Sequence, residues 1–144
     1  MASINETQDE LIGNFELLGG DFEMTLDQIM DLGKKLPALA PQYQTEENIV
    51  KGCQSKVWLH TELDGDKIKF EADSNTEITK GLVSMLVSIL SNHTPEEILA
   101  ADLYFIEKIG LHRFIGTQRS NGFGAMIKQM KDYATAYKVK LANS

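Results

Sequence analysis

Cysteine occurs once in this 144-residue chain, tryptophan once, and proline and histidine three times each. Each scarcity excludes something. One cysteine closes no internal disulfide and cannot supply a multi-thiolate zinc or iron–sulfur site. A free thiol suits a reducing compartment, so the expected location is cytoplasmic. Basic residues are outnumbered by acidic ones, 14 to 21, for a net charge of −7. Nucleic-acid binders need cationic surface to displace phosphate counterions, so no nucleic-acid partner is expected. No apolar run reaches membrane-spanning length, and residues 1–6 lack the charged-then-apolar pattern of a signal peptide. No membrane partner is expected either. A phosphate-cradling glycine loop is also missing, because Gly19-Gly20 has neither the lysine nor the spacing.

What is present suits one α+β domain over residues 1–144. Thr7 with Glu10 reads as a capping box for a helix over 7–17, with Leu11, Ile12, Phe15 and Leu18 at helical spacing. A second helix is predicted over 21–32, capped at its end by Gly33. Two prolines make 36–41 a loop. The period then changes. Residues 48–51 read as a short strand and 56–63 as a longer one, with Val57, Leu59, Thr61 and Leu63 on one face.

Asp64-Gly65 reads as a two-residue hairpin turn. That turn sets Leu63 against Asp66, Thr61 against Ile68, Leu59 against Phe70 and Val57 against Ala72. Glu62 then faces Lys67, and Trp58 faces Glu71. Trp58 and His60 fall on the polar face, where Trp58 is either covered by another element or part of a partner surface.

Ser74 with Glu77 suggests a second capping box, opening a nearly all-apolar central helix to residue 91. Gly81 near its start would let another backbone come close. Thr94-Pro95-Glu96-Glu97 starts a short helix, and 101–110 reads as another. Residues 111–118 read as a connector, with Ser120 capping a last helix striped by Phe123, Met126, Ile127, Met130 and Ala134. The expected architecture is a small three-stranded antiparallel sheet with N-terminal helices and a C-terminal helical layer packed on one sheet face.

Cys53 sits in Gly52-Cys53-Gln54-Ser55-Lys56-Val57-Trp58, among small and polar residues, with Lys51 and Lys56 nearby. Positive charge lowers a thiol's pKa and raises the reactive thiolate fraction. Two readings follow: a reactive cysteine at a loop tip, or a small buried hydrophobe. His60, His93 and His112 stand in no catalytic or metal-ligand spacing, so they read as surface or loop histidines and no metal is expected. Arg119 could hold an anion, a thiolate or a partner carboxylate, or could merely tie the connector down.

These residues resemble the SufE family. The heptad from Gly52 to Trp58 is similar to its Gly-Cys-Gln-Ser-x-Val-Trp signature, and Leu32-Gly33-Lys34-Lys35-Leu36-Pro37 to its Leu-Gly-x-x-Leu-Pro segment. Ala72-Asp73-Ser74 with Thr79-Lys80-Gly81-Leu82, and Arg119 with Gly122, fit the same family in order. One departure is visible: Gly116-Thr117-Gln118 replaces a Ser-Pro or Thr-Pro common before that arginine, which leaves the connector's course and the direction of Arg119 open.

The resemblance implies a SufE/IscU-like fold and a sulfur carrier. Cys53 would accept persulfide sulfur from a cysteine desulfurase (SufS- or CsdA-like), stimulate that enzyme, and deliver the sulfur to an iron–sulfur scaffold. No cofactor is implied, and a weak homodimer is left open. Cys53 is expected to be largely shielded in the free protein, with Gly52 giving its loop freedom. Gln54, Ser55, Lys56, Trp58, Asp73, Ser74 and Arg119 are the candidate partner surface, and Asn75 borders it. The rivals are a desulfurase activator in which Cys53 is incidental and a thiol-dependent redox protein. A cluster scaffold would need several cysteines.

Overall fold

The computed structural model describes residues 2–143. Its elements run α1 (Ile4–Glu16), α2 (Phe22–Lys34), two short 3-10 turns (Pro41–Tyr43 and Glu46–Asn48), β1 (Val57–Asp64), β2 (Lys67–Ser74), α3 (Glu77–Leu90), α4 (Pro95–Ala100), α5 (Phe105–Ile109) and α6 (Leu111–Ala142). This is an α+β fold with an antiparallel sheet.

The sheet has two strands, not three. The expected strand at 48–51 ends up as a single bridge between Ile49 and Trp58, preceded by the 3-10 turn. The backbone N–H of Val50 still donates to the Val57 carbonyl (2.8 Å), so the segment pairs with β1 at one point without running alongside it.

The hairpin register is also shifted by two. Leu63 faces Ile68, Leu59 faces Ala72, Trp58 faces Asp73 and Val57 faces Ser74. Asp64 is the last strand residue and pairs with Lys67, so Gly65 and Asp66 form the turn. Gly65 takes the left-handed first position (φ 65°), where a II′ turn places glycine. An even shift leaves every side chain on its expected face, so the hydrophobic pattern could not detect the error.

Val57, Leu59, Ile68, Phe70 and Ala72 are buried and form the apolar face. Helices cover it: α3 packs on β2, and Tyr137 of α6 hydrogen-bonds Thr61 (2.8 Å). The other face is covered by the irregular stretch before β1, where Tyr43 stacks on His60 at 3.6 Å between ring centres. Trp58 is half-buried there.

Helix α3 is the centre of the core. Leu82, Val83, Met85, Leu86, Ile89 and Leu90 are all at most 1% exposed. α2 crosses it at a glycine pair. A Cβ on Gly33 would lie 2.7 Å from the Gly81 backbone nitrogen, and one on Gly81 would collide with the Ile29 carbonyl oxygen. Gly33 therefore lies inside α2 at this contact and does not cap the helix.

Three other ends differ from expectation. The first capping box is formed by Ser3 with Glu6, so α1 starts earlier than predicted. Ser74 ends β2 and Thr76 is the N-cap of α3, without a side-chain cap bond. Residues 111–118 are mostly helical: α6 begins at Leu111 and breaks at Gly116 (φ 79°, ψ 173°), a conformation essentially restricted to glycine. The Thr94–Glu97 capping box forms as read.

Candidate functional site

Cys53 lies on the loop between Val50 and β1, and that loop is fixed at its base. Besides the Val50–Val57 bond, Lys56 N–H donates to Asn75 Oδ1 (3.0 Å) and Asn75 N–H donates to the Lys56 carbonyl (3.2 Å). Ser74 Oγ donates to the same carbonyl at 2.8 Å. Between these anchors, Gly52 takes φ 94°, in the left-handed region that favours glycine. The turn points the cysteine inward. Its Sγ donates to the Gly122 carbonyl of α6 at 3.4 Å, and the side chain packs against the core.

The shielding is partial: Cys53 is half-buried beside a cavity of about 150 Å³. Gln54 and Ser55 line one wall, Thr79 and Leu82 of α3 another, and Gln118, Arg119, Gly122 and Met126 of α6 the third. Among these lining residues Arg119 carries the only charge. Its guanidinium also donates to the Ile115 carbonyl at 3.4 Å, across the Gly116 break. Arg119 thus ties the connector down, and it lines the cavity beside Cys53. Ser120, expected as a helix cap, instead meets His112 Nδ1 at 2.8 Å across the same break.

The electrostatics run opposite to the sequence expectation. Burial pushes the Cys53 thiol above its ordinary pKa, and no lowering by Lys51 or Lys56 offsets it. Both lysines are exposed, in high-dielectric surroundings where their effect is weak. In this conformation Cys53 is a protonated hydrogen-bond donor.

Asp73 also departs from expectation. It is 8% exposed, and its carboxylate accepts from the backbone N–H groups of Leu39 (3.3 Å) and Ser74 (2.8 Å) and pairs with Lys80 (3.4 Å). Its polar capacity is spent inside the fold, holding the stretch before β1 to β2. Ser74 is likewise engaged with Lys56, while Gln54 and Lys56 remain exposed.

None of the three histidines lines the cavity. His60 is bonded to Glu62 (2.9 Å) beneath Tyr43, and His93 is buried 3.6 Å from Glu97. Glu71, opposite His60, brings a third potential ligand atom within 4.8 Å of the His60–Glu62 pair, on the far face of the sheet. That group is closed on itself by the His60–Glu62 hydrogen bond. Among the described residues, no helix is long and apolar enough to cross a membrane.

Sequence reasoning did not single out Thr79, Leu82, Gln118 or Met126 as site residues. Leu82 and Met126 carry the same pattern as ordinary core, which is all that periodicity reports. Thr79, buried at 5% exposure within an apolar helix, was the available signal.

Residues 9–134 match the SufE family, described as an Fe-S metabolism associated domain. An uncharacterized SufE-like protein of Rhizobium etli is 40% identical over 131 residues, covering 88% of each chain. A second, from Rhizobium meliloti, is 37% identical over 88% of this chain and 93% of its own length. SufE-like protein 1 of Arabidopsis thaliana, chloroplastic/mitochondrial, is 38% identical over 79% of this chain but only 31% of its own length. The solution structure of a hypothetical protein from Thermus thermophilus shares the fold, with a TM-score of 0.75 and 19% identity over 92% of this chain and 96% of that one. With the family match spanning most of its length, the chain belongs to the SufE family, whose domain is associated with Fe-S metabolism.

Proposed function

We propose that residues 1–144 act as one sulfur-carrier domain, with Cys53 as the acceptor. The observation that carries this reading is a lone thiol on a tethered loop, turned into a cavity larger than the thiol needs. A space of about 150 Å³ is the size that admits benzene when lined by apolar groups, so one added sulfur atom fits with room to spare.

The chemistry is a thiol exchange. The Cys53 thiolate attacks the outer sulfur of a persulfide on a cysteine desulfurase. The bond between that sulfur and the desulfurase cysteine breaks, the desulfurase cysteine leaves as a thiolate, and the persulfide now sits on Cys53. No electrons are gained or lost overall and no cofactor takes part. A scaffold for iron–sulfur clusters is the downstream acceptor, in a reducing compartment such as the cytoplasm.

Burial sets the order of events. Inside the cavity the thiol is protonated and a poor nucleophile. Docking must therefore draw out residues 51–55, which lie between the anchors at Val50 and Lys56. Outside, the thiol loses its desolvation penalty, and that alone raises the thiolate fraction. Gln54 and Arg119 line the cavity mouth and form the partner face together with the loop, and Trp58 flanks the base of the loop on the other face of β1. Asp73 and Ser74 support that face from within, since their polar atoms are already bonded.

The test is to incubate the protein with a desulfurase and cysteine and weigh it. A gain of one sulfur on the Cys53 peptide, removed by reductant, is expected; Cys53→Ser should show no gain and no stimulation. Stimulation retained by Cys53→Ser would instead favour an activator in which the cysteine is incidental.

A further inference from the structure

Ser55 and Thr79, in the wall of the cavity opposite α6, are joined by hydrogen bonds to a third hydroxyl, that of the exposed Thr76. Thr76 Oγ1 donates to Ser55 Oγ at 3.0 Å, and Thr79 Oγ1 donates to the same oxygen at 3.4 Å. A serine hydroxyl has two acceptor positions and one proton. With both acceptor positions occupied, the remaining capacity of Ser55 is its proton. Ser55 lies two residues from Cys53 and lines the same cavity.

The geometry points to Ser55 as a binding residue for an anionic sulfur held on Cys53. Thr76 and Thr79 act through it as positioning residues that fix the hydroxyl as a donor. The inference rests on the carrier reading, because it concerns the loaded state. The outer sulfur of a persulfide ionises more readily than a thiol and stays charged inside the cavity only if donors face it. Arg119 supplies the single charge among the lining residues, and Ser55 supplies a neutral donor from the loop side. The unloaded thiol needs neither, since it already donates to Gly122. One hydroxyl is thus idle in the empty protein and engaged in the loaded one.

The experiment loads Cys53 without any desulfurase. Inorganic polysulfide is the sulfur donor: the thiolate attacks a sulfur–sulfur bond and expels a shorter polysulfide, so atoms and charge balance. The persulfide pKa is then read from the ultraviolet absorbance of its anion in wild type, Ser55→Ala and Ser55→Thr. Loss of the donor raises that pKa by about one unit, and Ser55→Thr restores it. Mere loosening of the loop would admit water and lower it, so the two effects have opposite signs. A persulfide pKa unchanged or lowered in Ser55→Ala overturns the inference. If that variant does not hold its fold by thermal melting, Thr76→Val with Thr79→Val takes its place. A smaller rise is expected there, and no rise overturns the inference. The mass gain from a desulfurase is independent of all these readings, so the carrier proposal stands or falls separately.

Discussion

On the α2 side of α3, Gly33 and Gly81 bring two backbones into contact with no room for a methyl group. On the side that carries Thr79 and Leu82, the same turn of α3 borders a cavity of about 150 Å³. The cavity opens to solvent past the exposed Gln54, Gln118 and Arg119, and its depth is kept only where the surrounding frame cannot collapse into it. The glycine crossing supplies such a frame. It fixes α3 against α2, so that α3 cannot slide toward α6 and close the space beside Cys53. The comparison separates two uses of glycine: one removes atoms so that helices touch, and the other, at Gly122, leaves space in front of a thiol.

The sharpest way to break this comparison is to place the same methyl group on both sides. Gly81→Ala meets the Ile29 carbonyl and should cost about 3 kcal/mol or prevent folding, measured by urea unfolding. A variant as stable as wild type would mean that the two helices part easily and that no rigid frame exists. Gly122→Ala is the counterpart. Its Cβ would lie 3.6 Å from both Cα and Sγ of Cys53, an ordinary contact. Stability should stay level or rise by up to about 1 kcal/mol, since alanine suits a helix better. Capture of sulfur from a desulfurase should fall several-fold, because the methyl intrudes on the cavity. Unchanged capture would show that the space is not used.

A smaller effect sharpens the account of the thiol itself. Burial raises the Cys53 pKa, so the protonated form is favoured in the folded state. The corresponding stability is fully present below the unfolded-state pKa and is lost as pH rises through the raised folded-state value. The pH profile of alkylation by iodoacetamide should therefore lie at higher pH in the native protein than in urea. A native profile at or below the unfolded one would remove burial as the control on reactivity.

Much of this arrangement is legible in the sequence because each signal has its own chemistry. The loop character of Cys53 follows from its small polar neighbours, and the central helix from its unbroken apolar run. Gly81's close contact follows from a glycine on that helix. The failures share a different origin. Periodicity cannot distinguish register shifts of two, so the pattern reads the turn one residue early. A segment that touches β1 at one point looks like a strand from composition alone. The sign of the Cys53 shift depends on burial, and no count of nearby lysines reports burial. Asp73 reads as a surface residue because an acidic residue at a strand end usually is exposed; the Leu39 N–H and Lys80 that retain it inside are distant in sequence or beyond the next helix start.

The break in α6 has a thermodynamic corollary. Its bend is made by Gly116. Proline restricts the unfolded chain before folding begins, while glycine leaves it the widest freedom of any residue. The joint beside Arg119 is therefore formed at a greater loss of disorder than a proline-bearing joint would need. The Arg119–Ile115 and His112–Ser120 bonds across the bend oppose that loss. This segment of the molecule is where a chain of the same fold could gain heat resistance without touching the cysteine loop.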